Sequence, residues 1–306
     1  MQADTKIRQL LDQLNTVIVG KSAQVSDCVG CLLAGGHLLI EDVPGVGKTT
    51  LAHALSRSFG LQFARVQFTA DLMPSDLVGI SIYERGREGF VFHPGPVFAQ
   101  VLLADEINRA SPKTQSALLE AMEEKQVTVE GQTRALPVPF FVIATQNPFD
   151  QLGTYALPES QLDRFHMRIS LGYPDRAAER ELLRGADRRE LIEQLPAVLS
   201  PAELSRLQAE VLAVHAAEPV LEYLQDLVAA TRSGRWFAQG LSPRAALAVV
   251  RAAKAQAFLQ GRNYVAPDDI AAILPQTAAH RLVPVSDAGR GAMEQVRAMI
   301  DATPIP

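Results

Sequence analysis

The chain has 306 residues, room for two domains with sizeable cores at roughly 150 residues each. Apolar residues make up 47% and charged residues 21%, which excludes collagen-like, low-complexity and strongly disordered chains. Lys plus Arg number 29 against 34 Asp plus Glu, a net charge of −5 with no basic run; a general nucleic-acid binder is more often basic, so no nucleic-acid partner is expected.

The N-terminal stretch MQADTKIRQLLDQLN lacks a basic start followed by an apolar core, so a secretion signal is not expected and the cytoplasm is the expected location. The longest apolar stretch, Cys28 to Ile40, is broken by Gly30, Gly35, Gly36 and His37 and is too short to span a bilayer. Cys28 and Cys31 formally match CxxC, but a closed zinc site needs four ligands and no second ligand pair exists. Their spacing fits two small apolar residues on one helix face. His37, His53, His93, His166, His215 and His280 are scattered without HExxH spacing, so no histidine-held catalytic metal is expected.

Strand candidates fall at His37 to Glu41, Gln62 to Phe68, Val101 to Asp105, Phe140 to Thr145 and Met167 to Leu171, with helical patterns between them. The alternation predicts an α/β domain with a largely parallel five-stranded sheet. Gly79 to His93 and Gln126 to Val138 alternate around Gly86/Gly89 and Glu130-Gly131 and predict two inserted β-hairpins. From about Pro174 the pattern is helical throughout. Ser242 suits an N-cap, Pro243 a first helical position and Gly261 a stop, with Ala246, Val250, Ala253 and Ala257 on one face. The expected division is therefore an α/β core over 1–173 and a helical domain over 174–306. Asp268 and Asp269 after Pro267 read as first-turn helix acids, and Trp236 as a core aromatic of the helical domain.

The chemistry-bearing stretches sit at strand ends. VPGVGKTT (Val43 to Thr50) follows the strand at 37–41 and precedes a helix with Leu51, Leu55 and Phe59 on one face, which is the setting of a P-loop. Pro44, Gly45, Val46 and Gly47 would wrap a phosphate, Lys48 would reach the β and γ phosphates, and the hydroxyl of Thr49, followed by Thr50, would coordinate magnesium. The strict P-loop pattern has glycine at position 42, where this chain has Asp42. VLLADE (Val101 to Glu106) ends an apolar strand in two acids at the sheet edge where ligands of open α/β sheets bind. Asp105 is placed to hold the magnesium shell, and Glu106 to take a proton from the attacking water. The third strand ends in Gln146-Asn147-Pro148. Asn147 fits an amide that fixes the water or the γ phosphate, and Asn-Pro fits a plain turn equally well.

Taken together these stretches resemble the AAA+ ATPases and, within them, the MoxR group of the helix-2-insert branch. The resemblance runs from Val17 to about Val283 through VIVGK (Val17 to Lys21), EDVPGVGKT, QFTADLMPSDLVG (Gln67 to Gly79), HPGPVF (His93 to Phe98), LLADEINRA, ATQNP, LPESQLDRF (Leu157 to Phe165) and LSPRA (Leu241 to Ala245). Asp42 is familiar in the MoxR form of the P-loop. The resemblance implies an AAA+ core followed by an all-helical lid, with ATP and Mg2+ as cofactors and Val19 and Gly20 on the adenine side. It further implies Arg164 as an arginine finger directed at a neighbouring subunit's γ phosphate, and Arg244 as the second sensor arginine on the lid. It also implies a homo-oligomeric ring, expected to be a hexamer, that acts as a chaperone-like remodeller or activator of a partner protein, with a von Willebrand factor A domain protein as the expected partner. Cofactor insertion, as by the related magnesium-chelatase ATPase subunit, is the alternative. A nucleic-acid motor ranks lower on charge. A GTPase switch lacks the Asn-Lys-x-Asp base-reading motif, and a small-molecule kinase would not need both Arg164 and Arg244.

Overall fold

The computed structural model describes residues 2–86, 88–147, 153–185, 188–285 and 291–305. Two helices, α1 (Gln2–Val17) and α2 (Ser22–Leu33), precede β1 (Leu38–Glu41), and α3 (Lys48–Ser58) and β2 (Phe63–Gln67) follow it. A short α4 (Pro74–Val78) leads into the hairpin β3 (Gly79–Glu84) and β4 (Gly89–Pro94). Next come β5 (Val101–Asp105), α5 (Pro112–Glu124) and a second hairpin, β6 (Gln126–Val129) with β7 (Gln132–Ala135). β8 (Phe141–Gln146), α6 (Glu159–Leu162) and β9 (Met167–Ile169) complete the α/β part. The rest is helical: α7 (Arg176–Arg184), α8 (Arg188–Glu193), α9 (Pro201–Leu212), α10 (Glu218–Arg232), α11 (Pro243–Leu259), α12 (Pro267–Ala278) and α13 (Ala292–Asp301).

The main sheet has the order β2-β5-β8-β1-β9, and every pairing in it is parallel. The central strands β5, β8 and β1 are buried and largely apolar on both faces because both faces are covered, whereas the edge strand β2 is only partly buried. Leu38 and Ile40 of β1 pack with α1, α2 and α3, whereas Leu39 packs with α4 and α5 on the opposite face. The first of these cores runs without a break into the helical lid through Leu204, Leu227, Val249 and Ile273. Sheet and lid thus share one hydrophobic interior, with α11 laid against α2 and α12.

The expected strands are present within one or two residues at each end, and both hairpins form at the expected places. Cys28 and Cys31 are buried thiols on α2. Ser242 caps α11 by accepting from the Ala245 N–H, at 3.0 Å. Of the residues expected on the buried face of α11, Ala253 and Ala257 are buried, but the rest of the stripe is shifted. Ala245, Val249 and Ala252 are fully enclosed, whereas Ala246 and Val250 are only partly buried, because α2, α9 and α12 surround most of the helix. Asp268 and Asp269 lie in the first turn of α12 as expected, and Asp269 accepts from the Ala266 N–H and forms a paired contact with Arg262.

Candidate nucleotide site

The loop between β1 and α3 is held open by two left-handed glycines, Gly45 (φ 85°) and Gly47 (φ 97°). A Cβ added at either would meet nothing within 4 Å, so the loop is open at both positions. Gly47 stands at the N-cap of α3 with no side chain to bond the first-turn N–H groups, leaving these donors and the positive end of the helix facing the loop. Lys48 folds over the loop, its Nζ donating to the Asp42 carbonyl at 2.7 Å and the Val43 carbonyl at 3.3 Å. Partial burial pushes its pKa down, against the pull of Asp42, Asp105 and Glu106. The P-loop and the acidic strand end expected from sequence are therefore brought together.

Asp42, the departure from the strict P-loop pattern, is buried and has a definite task. Its Oδ2 accepts from the Leu171 N–H at 2.5 Å, the Gly172 N–H at 2.8 Å and the Ser170 hydroxyl at 3.2 Å, while Oδ1 accepts from the Val43 N–H. One carboxylate ties the start of the P-loop to the segment that leaves β9 for the lid, and glycine could not do this. Nearby, Gly20 (φ 71°) lies so close to α7 that a Cβ would sit 2.7 Å from that of Ala178, and Lys21 donates to the Tyr173 carbonyl at 2.8 Å. Val19 and Gly20 thus lie where the core passes into the lid.

At the end of β5, Asp105 Oδ1 accepts from the Thr145 hydroxyl at 2.6 Å, and Oδ2 pairs with Arg65 at 2.6 Å. The next residue, Glu106, has φ 57°, a left-handed conformation that costs a non-glycine residue about 1–2 kcal/mol. It is held there by its N–H donating to the Thr145 oxygen at 2.9 Å, and by Oε2 accepting from Gln67 at 2.8 Å and Arg109 at 3.0 Å. The Glu106 carboxylate is thus anchored by an amide and a guanidinium. Asn147 is buried just beyond β8, adjoining the strand that supplies Thr145; Pro148 lies outside the described residues. Among the described residues no three His, Cys, Asp or Glu side chains cluster as metal ligands. Thr49, in the first turn of α3, and Asp105, at the end of β5, carry hard oxygen donors on the phosphate-loop side of the sheet. That fits Mg2+, which takes one or two protein oxygens together with phosphate and water.

The two expected arginines stand elsewhere. Arg164 immediately precedes the segment that enters β9, and β9 runs parallel to β1 with Met167 beside Leu38 and Ile169 beside Ile40. Arg164 is therefore at the N-terminal edge of the sheet, whereas Lys48 lies past the C-terminal edge, with on the order of 13 Å of strand between those edges. Arg244, in the first turn of α11, is on the same edge as Arg164. The two arginines line a cavity of about 320 Å³ with Gly36, His37 and His166, and no P-loop residue borders it. The resemblance implied that Arg244 serves as a sensor of the γ phosphate. Within the chain its partner is a carboxylate, Glu123 of α5, which also pairs with Arg164 at 3.8 Å. The neighbouring Asp163 is bonded by the buried Arg281 at 2.7 Å and by the Ser242 hydroxyl at 3.3 Å, both from the lid.

Sequence reasoning missed Arg65, Gln67, Arg109, Glu123 and Thr145. Thr145 and Arg65 carried a faint signal as polar residues in apolar strands. Glu123 carried none, since it is one of several acids on the outer face of α5.

Comparison with known proteins agrees with this architecture. Residues 37–167 match the ATPase family associated with various cellular activities (AAA), and residues 229–301 match the AAA lid domain. The chain is 46% identical to the uncharacterized protein YeaC of Bacillus subtilis, covering 97% of this chain and 93% of that protein. It is 42% identical to Chaperone MoxR1 of Mycobacterium tuberculosis, over 92% of this chain and 77% of the relative. A crystal structure of a candidate ATPase from Cytophaga hutchinsonii superposes with a TM-score of 0.91 at 37% identity, covering 99% of this chain and 96% of that one.

Proposed function

The chain belongs to the MoxR family of AAA+ ATPases, and from that premise we propose an ATP-hydrolysing ring, a hexamer by family resemblance, whose active sites each draw on two subunits. In one subunit Pro44 to Thr50 wrap the triphosphate and Val19 and Gly20 border the adenine. Thr49 and Asp105 hold Mg2+, which supplies charge neutralisation on the phosphate oxygens. Glu106 takes a proton from the attacking water once Gln67 and Arg109 release it, and Asn147 positions that water or the γ phosphate. Arg164 and Arg244 of the neighbouring subunit meet the charge that develops on the γ phosphate.

The observation that supports this reading is the distribution of the groups over the sheet. The phosphate loop and acids lie at one edge and both arginines at the other, with no phosphate-binding loop of the same chain in the arginine cavity. Such a site is incomplete until a second subunit supplies the missing half. We place the division between core and lid at 173/174, where Asp42 grips the connecting segment. The hairpin β3–β4, assigned here to the helix-2 insert, exposes Ile82, Tyr83 and Phe90 as an apolar working surface. The proposed output is chaperone-like remodelling or activation of a partner protein. A partner with a von Willebrand factor A domain and a cytoplasmic location follow from family resemblance and composition.

Light scattering on Glu106→Gln with and without Mg-ATP tests the proposal, because this variant binds nucleotide without turning it over. The expected result is an ATP-dependent rise from the 33.2 kDa subunit to a multi-subunit species. A monomer that binds Mg-ATP and stays monomeric at high concentration contradicts it.

A further inference from the structure

Both arginines that the proposed reaction requires are already occupied in the isolated chain, by the same side chain. Arg244, from the lid, and Arg164, from the core, converge on the two oxygens of Glu123, Oε1 and Oε2 respectively. Five cationic side chains, Lys125, Arg164, Arg244, Arg251 and Arg281, line this cavity against two carboxylates, Glu123 and Asp163. Asp163 is engaged by the buried Arg281, so Glu123 alone faces the arginine pair. His166, whose buried Nε2 has no hydrogen-bond partner, lines the same cavity. An excess of positive charge around one part-exposed carboxylate fits an anion of higher charge than a carboxylate.

We propose that Glu123 is a positioning residue that stands in for the γ phosphate: it holds Arg164 and Arg244 together in the unassembled subunit and is displaced when the neighbouring subunit's ATP enters the cavity. This rests on the shared-site reading above and adds a competitor to it. Glu123 lies at the C-terminal end of α5, directly before the hairpin β6–β7. Arg134 of that hairpin stacks on Phe92 of the other hairpin, 3.9 Å from the ring centre. Displacement of Glu123 therefore acts at the base of the hairpin β6–β7, which touches β3–β4. ATP bound in one subunit would in this way be registered at the apolar working surface of the next.

The experiment measures the Mg-ATP concentration for half-maximal assembly, together with KM and kcat, for wild type, Glu123→Gln and Glu124→Gln. Glu124 is the next residue on α5 and lines no part of this cavity, so it controls for the change in net charge. Removing the competing charge at 123 is expected to lower the half-maximal concentration and KM roughly two- to fivefold with kcat little changed, the range that part-exposed ion pairs support. The gain should shrink in high salt, and Glu124→Gln should behave as wild type. An unchanged or raised half-maximal concentration in Glu123→Gln, or an equal gain in Glu124→Gln, overturns the proposal while the shared site stands. A wild-type chain that binds Mg-ATP without assembling overturns both, and the two failures are thereby told apart.

Discussion

The two edges of the parallel sheet differ in how their functional groups are assembled. At the C-terminal ends of β1 and β5 the phosphate loop and the acids arise from short contiguous stretches, so local rules place them. Two glycines open the loop, a helix starts behind it, and an apolar strand delivers Asp105 and Glu106. At the N-terminal ends of β1 and β9 the arginine cavity gathers residues as far apart in sequence as Gly35 and Arg281, from α5, the β9 approach, α11 and the 3-10 turn at Arg281. One edge is written in motifs, whereas the other exists only once the lid has packed on the core. On our account the first binds a nucleotide and the second serves a neighbour's.

Substitutions at the two edges should separate binding from turnover, and this is the largest effect expected. Lys48→Ala should abolish ATP binding and turnover together. Arg164→Ala should lower turnover about a thousandfold or more, the scale of an arginine finger, while ATP affinity holds. Fluorescent-nucleotide titration and phosphate release measure the two quantities. Near-normal turnover in Arg164→Ala would break the comparison.

Acid should act on the arginine edge. His37, His166 and His280 are all buried there, and burial pushes them down, His37 to about 4 and His166 to about 3. Each stays neutral in the folded chain and gains a proton on unfolding once the pH drops below about 6.5. The unfolded state then binds more protons, so the stability they contribute is full above that pH and is lost as pH falls, down to about 4 for His37 and 3 for His166. The expected loss at pH 5 is up to about 2 kcal/mol for each of these two. Urea midpoints at pH 7 and pH 5 read it directly, and equal midpoints would refute it.

A smaller effect concerns the tie between the P-loop and the lid connector. Asp42→Ala leaves the Leu171 and Gly172 N–H groups without their acceptor and should cost about 1–3 kcal/mol. A thermal melt lowered by a few degrees, with weaker ATP binding, is the expected outcome. An unchanged melt would show that water replaces the carboxylate.

The same contrast explains what was legible in the sequence. The sheet strands, both hairpins and the P-loop follow from periodicity and punctuation within about ten residues, and they appear where expected. Asp42 looked like a deviation because its partners, Ser170 to Gly172, come some 130 positions later. The Glu106 clamp was hidden since Gln67 belongs to a neighbouring strand, and only the sheet order β2-β5 sets the two side by side. Glu123 looked like any solvated helix acid, its role fixed by α11 docking at the N-terminal edge. Arg164 and Arg244 were found through family resemblance, but their shared edge and shared partner depend on tertiary packing.

The central claim is that one active site takes residues from two chains, and mixing two inactive variants tests it most directly. Lys48→Ala lacks the phosphate end and keeps the arginines, whereas Arg164→Ala keeps the phosphate end and lacks its finger. On this account each alone is inactive and their mixture regains a fraction of wild-type turnover, because some interfaces join an intact loop to an intact arginine. A mixture as inactive as its components, formed from variants shown to enter the same assemblies, would contradict the shared site.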